Sequence, residues 1–214
     1  MVLHVVGALI IREGSSMKIT LEWWETMAPY VKSTDLAGRP PARAPLDVDV
    51  VFAAMIDPAD RIVASQVRYN YAKPTCWSIW VVTSTVLAHV EIEYDEECYD
   101  STAQEVRQRE RAQPVAPKLR EAWTRPLATI SKLQFGGFSP RLEDFNRYDN
   151  GEFCLVDLRV TFVEGEQRQT FPVGGNQPLR DEEERKKWDS FVLAIRAGAP
   201  SPLPVEFVPS SRDG

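Results

Sequence analysis

Histidine is nearly absent: the 214-residue chain has two, His4 and His89. A metal cage or proton relay built on several imidazoles has no material here. Cysteine is almost as sparse. Cys76, Cys98 and Cys154 are odd in number and widely spaced, which offers neither a disulfide framework nor a CxxC zinc or redox motif and reads as reduced thiols in a cytoplasmic protein. Cations are short as well, with Lys+Arg 25 against Asp+Glu 31, a net charge of -6 and a pI near 5.1. A dedicated nucleic-acid binder, or a protein held on anionic lipid by charge alone, carries the opposite balance. The apolar run Val2–Ile11 is too short to span a bilayer, lacks a basic flank and runs into Arg12 and Glu13 rather than a small-residue cleavage site. Phosphate loops are missing too: Gly136-Gly137 and Gly174-Gly175-Asn176 lack the GxxxxGK[ST] frame and read as turns.

What is present suits one soluble domain with an extra segment. The chain is 43% hydrophobic and 26% charged, and at this size roughly 70% of the unfolded surface can be buried. Arginine outnumbers lysine 18 to 7, as in proteins from GC-rich bacterial genomes. Met17 stands just before a clean helix start, so residues 1–16 read either as an upstream extension or as a surface arm.

Three regions are expected: an arm with a short helix and Pro-rich linker over 1–45, a domain over 46–198, and a Pro-rich tail over 199–214. Thr20 caps a helix through Ala28, with Ile19, Trp23 and Met27 at i, i+4, i+8 and Leu21, Trp24 and Ala28 beside them. Paired tryptophans on so short a helix read first as core or docking residues and second as a partner site. Gly38, Pro40, Pro41 and Pro45 mark the linker. The period then becomes two. Strands are expected over 47–56 (Val48, Val50 and Phe52 on one face), 61–71, 76–82 and 86–95, with Cys76–Val82 apolar on both faces and therefore central. A long charged segment follows at about 96–126. Further strands fall at 127–135, 152–163 and 166–173, the last two joined by a turn at Glu164-Gly165. Asp181 caps a final helix whose Trp188, Phe191, Val192 and Ile195 share one face, and Leu203–Val208 reads as an extended strap on the surface.

Seven strands grouped four and three around an insertion, then one amphipathic helix, resemble the pleckstrin-homology (PH) superfold. The run Ile79-Trp80-Val81-Val82-Thr83-Ser84-Thr85-Val86-Leu87 is similar to a strand, turn and strand of bacterial PH-like domains, and Leu127-Ala128-Thr129-Ile130 to the opening of their second sheet. The hairpin ending at Val173, followed by the helix with Trp188, Phe191 and Ile195, resembles the barrel-plugging helix. Over about residues 46–198 the resemblance implies a mainly β, α+β fold: a seven-stranded antiparallel barrel or orthogonal sandwich closed by a C-terminal helix. It also implies a non-catalytic binding module. The lipid-binding version of that fold needs a basic first hairpin loop, and 57–61 and 72–75 hold few cations, which disfavours phosphoinositides. No ligand residue transfers.

Two constellations remain. Glu91, Glu93, Asp95, Glu96, Glu97 and Asp100 place six carboxylates within ten residues, a conceivable divalent-ion or acid site that a solvated strand edge explains equally well. His89 falls on the same face and reads as a surface histidine, whereas Cys76 and Cys154 read as core. Arg107, Arg109, Arg111, Lys118, Arg120 and Arg125 form a basic strip laced by glutamates. The expectation is a cytoplasmic protein that is not an enzyme and takes no cofactor or metal. It binds an unidentified protein or peptide through Trp23, Trp24, Arg107, Arg111 and Arg120. The alternatives are a carboxylate or metal enzyme on Glu91, Glu93 and Asp95, and a membrane or lipid adaptor.

Overall fold

A computed structural model describes residues 20–33, 41–140, 153–174 and 182–207. The expectations for residues 1–16, the Asp181 cap and the end of the tail lie outside them. The first helix is as expected: α1 (Leu21–Met27) starts where the Thr20 side chain accepts the Trp23 N–H at 3.2 Å, and it buries Met27. The next element is a correction. Residues 47–56 are not a strand but α2 (Leu46–Met55). The buried apolar residues, Val48, Phe52 and Ile56, are spaced four apart. Pro45 ahead of the first turn, with Asp47 and Asp49 within it, suits a helix start.

A four-stranded antiparallel sheet follows in the order β1-β2-β3-β4, built from β1 (Ile62–Asn70), β2 (Thr75–Thr83), β3 (Val86–Tyr94) and β4 (Pro117–Pro126). The segment at 96–126, expected as an insertion, therefore contributes to the sheet itself. After α3 (Ser101–Arg109), capped by the Asp100 side chain on the Ala103 N–H, it supplies the fourth strand. The second sheet runs β7-β6-β5-β8, from β5 (Ile130–Pro140), β6 (Phe153–Glu164), β7 (Gln167–Gly174) and β8 (Val205–Phe207), with β8 parallel to β5 and the rest antiparallel. Gly165, at φ 61°, takes the left-handed position that the β6–β7 turn requires. Between β7 and β8 lies α4 (Glu182–Gly198). Among the described residues the strands number eight rather than seven, and no pairing joins the two sheets into a barrel. The result is a sheet-dominated α+β fold.

Two apolar clusters hold it together. One lies between the sheets, where Trp80, Val82 and Leu87 meet Leu133, Leu158, Val160 and Phe162, with Trp188, Phe191 and Ile195 of α4 inserted among them. Each fully buried side chain of this size contributes about 1.5–3 kcal/mol. The other covers the opposite face of the first sheet, joining Trp77, Ile79, Val90, Ile92 and Tyr94 to Val48 and Phe52 of α2 and to Met27, Val31 and Ala44. The chain on either side of the Pro-rich stretch pairs with itself, Ser33 N–H to Ala42 O at 2.9 Å and Ala44 N–H to Val31 O at 3.0 Å, so this N-terminal part is docked rather than trailing. The expectation that β2 is covered on both sides is met, since its residues are buried throughout except Cys76.

Candidate functional site

The strand register arranges the face of the first sheet that looks toward the second sheet into rows. Cross-strand pairing lines up Ala64, Val82, Leu87 and Arg125, then Gln66, Trp80, His89 and Trp123, then Arg68, Ser78, Glu91 and Glu121, then Asn70, Cys76, Glu93 and Lys118. The face therefore grades from an apolar end, covered by α4, through an aromatic band, to a charged end. That gradient decides the chemistry of each residue.

His89 shows it first. Alternation with Glu91 and Glu93 suggests a surface position, but the side chain is buried, stacked on Trp80 at 4.6 Å and flanked by Trp123 at 5.4 Å. Burial, with the Arg68 charge adding to it, pushes the imidazole down to about 3, so it is neutral at ordinary pH. Its Nε2 lies 3.0 Å from the Ser78 hydroxyl. Its Nδ1 lies 3.4 Å from Glu121 Oε2 but makes no aligned hydrogen bond, while Glu121 Oε1 accepts the Trp123 indole N–H at 3.1 Å. The three residues have the types of a nucleophile, base and orienter. Ser78 and His89 are both buried on inner strands, and His89 packs between the Trp80 and Trp123 rings.

At the charged end, Cys76, Glu91 and Glu93 place donor atoms within 4.8 Å of one another. Burial and the two carboxylates push the Cys76 thiol up to about 11, and burial, Glu121 and Glu93 raise Glu91 as well. Arg120 already neutralises Glu93 through contacts of 2.7 and 2.5 Å. The expected carboxylate trio is thus altered, because Asp95 sits apart, exposed and 3.6 Å from Lys73.

The expected partner-binding residues do not form one patch. Trp23 packs on the cluster under α2, and Trp24 lies beneath the Arg43 guanidinium at 3.8 Å. Arg107 reaches Glu96 at 2.6 Å and the Gln113 carbonyl at 3.2 Å, and Arg111 follows α3 with φ 54°. Arg120 is on the far face of the sheet, against Glu93.

Two features escaped the sequence. Asp60 accepts the Thr83 and Thr85 hydroxyls at 2.5 and 2.6 Å and that of Ser84, pinning the β2–β3 turn. Burial opposes its charge, but these hydroxyls hold the carboxyl below its usual range. The second is the pairing of the tail with β5. Leu203 was expected to begin a surface strap; the strap is a true strand, with Val205 opposite Leu133, Glu206 opposite Gln134 and Phe207 opposite Phe135. Acidic Glu206 aligned with Lys132 and Gln134 was the available signal, but only pairing brings residues so distant in sequence together.

Among the described residues no helix is long and apolar enough to cross a membrane. No family model and no curated protein matches the chain. Among solved structures it is similar to the hSac2 domain from human phosphoinositide phosphatase Sac2, with a TM-score of 0.40 and 9% identity over 79% of this chain and 92% of that one. At that score the likeness carries no argument about ligand or activity.

Proposed function

We propose that the chain is a non-catalytic, PH-like binding module that holds an extended protein or peptide segment in the bacterial cytoplasm. The observation that carries this reading is β8: the molecule already seats one extended segment on a sheet edge, by backbone pairing with β5 and by side-chain contacts that select it. Strand addition of this kind gives affinity through the main chain and specificity through alternate side chains. The PH-like part of the reading draws on two largely antiparallel sheets packed around the apolar stripe of a C-terminal helix. The cytoplasmic part draws on Cys76 and Cys98, neither of which is in a disulfide. The test is a peptide-display selection on the immobilised full chain, followed by calorimetry on enriched sequences. Micromolar binding in solution is expected, and no enrichment over bare support overturns the reading.

A second reading, a carboxylate site for a divalent cation, is favoured by one observation: the Cys76, Glu91 and Glu93 donors converge. Binding would require the cation to compete with Arg120 for Glu93. Calorimetric titration with zinc, manganese and magnesium decides it, since heat that disappears in Cys76→Ser and Glu91→Gln supports the site and absence of heat removes it.

A further inference from the structure

We infer that the outer edge of β5 is a peptide-docking site that the chain closes on itself, with residues 203–207 standing in for a ligand of the pattern apolar, proline, apolar, acidic, aromatic. The inference rests on the binding-module reading above and adds which edge is used, what chemistry it selects and how access is governed.

Each position of the strap meets a complementary group. Leu203 packs against the cluster between the sheets. The Pro204 carbonyl accepts the Leu133 N–H at 3.1 Å. Val205 pairs with Leu133. The Glu206 carboxylate lies between the Gln134 amide at 2.9 Å and the Lys132 ammonium at 3.3 Å. The Phe207 ring lies over Phe135, 6.1 Å between centroids and 29° from parallel. Proline in the fourth-from-last place is compatible with an added edge strand because its carbonyl, not its missing N–H, makes the bond.

The strap is also built to leave. Its three paired residues are all exposed, with Phe207 65% exposed, and its ion pair is solvent-accessible, so beyond the short ladder, the Leu203 contact and the Phe207 ring contact little holds it. On its inner side β5 is fully engaged with β6. Releasing the strap therefore exposes one row of backbone donors and acceptors, the feature that templates strand addition. Only six residues, 199–204, separate α4 from β8. A tether of that length keeps the strap at an effective concentration on the order of millimolar, so an outside peptide of similar intrinsic affinity competes poorly until the strap is weakened.

The experiment uses the full chain and the double variant Glu206→Lys, Phe207→Ala, whose altered side chains are exposed, so the fold is retained. The probe is a fluorescein-labelled peptide copying residues 201–207. Hydrogen exchange at the Leu133 amide reports whether the edge is open. The variant is expected to expose that amide, to bind the probe roughly tenfold more tightly than wild type, and to regain protection when the probe binds. A probe carrying the same two substitutions is expected to lose at least that factor. Equal binding to both proteins, or binding to neither, overturns the inference whatever the exchange shows. Dimers formed by exchange of straps, without probe binding, also overturn it, because the occupant is then a second copy. Display-selected peptides that bind wild type and variant alike, and leave Leu133 exchange unchanged, preserve the binding-module reading while removing this one.

Discussion

Arg43 holds Asp49 at 2.9 Å, Nη2 to Oδ2, inside the packing between α1 and α2. Burial of Asp49 outweighs that pairing and pushes its carboxyl from 3.8 up to about 6. The folded chain therefore keeps a proton on Asp49 through a range in which the unfolded chain has released it. The stabilising contribution is present below about pH 4 and is lost as pH rises to about 6, a change on the order of 3 kcal/mol. Urea unfolding across that window should show a smaller fall in Asp49→Asn than in wild type. An identical slope in the two proteins would disprove the assignment.

His89 acts in the opposite direction. Its imidazole is neutral in the folded state down to about pH 3, whereas the unfolded chain takes up a proton near 6.5. Its contribution is therefore complete above about 6.5 and is lost progressively on acidification. His89→Gln should show less acid destabilisation between pH 6 and 4. With only His4 to confuse the spectrum, NMR should find the His89 ring signals unchanged between about pH 8 and 5. A midpoint near 6.5 would place the ring in water.

Phe191 is fully buried at the centre of the inter-sheet cluster, between α4 and both sheets. Phe191→Ala should cost about 3–5 kcal/mol in urea unfolding at neutral pH. Val192, on the same helix but only partly buried, should cost distinctly less as Val192→Ala. Equal costs would mean that α4 faces the core differently.

Gly198 closes α4 against Leu127, and a Cβ there would meet the Leu127 side chain, with its Cβ at 3.1 Å and its Cδ1 closer still. Leu127 is itself buried and has little room to retreat. Gly198→Ala should destabilise by about 1–3 kcal/mol. In a double-mutant cycle with Leu127→Ala the two costs should sum to more than the double variant shows, because removing the leucine makes room for the new methyl. Strict additivity would contradict the contact.

The contrast between elements explains what could be read from the chain. Thr20 at the start of α1, the Trp188, Phe191 and Ile195 stripe of α4, and the doubly apolar β2 are local patterns, and each appears as expected. In α2, Val48 and Phe52 satisfy a period of two and a spacing of four at once, so the pattern did not choose. β4 was hidden because an edge strand with a bulge between Glu91 and Ile92 of its partner loses its alternation, and its charges face water or the rim. His89 was misplaced for a different reason. Alternation assigns it to the correct face, but only the second sheet and the neighbouring Trp80 and Trp123 determine that this face is buried at His89 and half-exposed two residues later. The strap contacts of Glu206 depend on pairing across more than seventy positions.

The first sheet is a wall shared by two rooms. Successive residues of β3, Leu87 and Ala88 for example, belong to clusters on opposite sides. Inserting or deleting one residue within β2 or β3 would swap the furnishings of both rooms together. Length changes should therefore be tolerated in the turns and at the β4 bulge, where the chain already absorbs an extra residue, and rejected everywhere else along these strands.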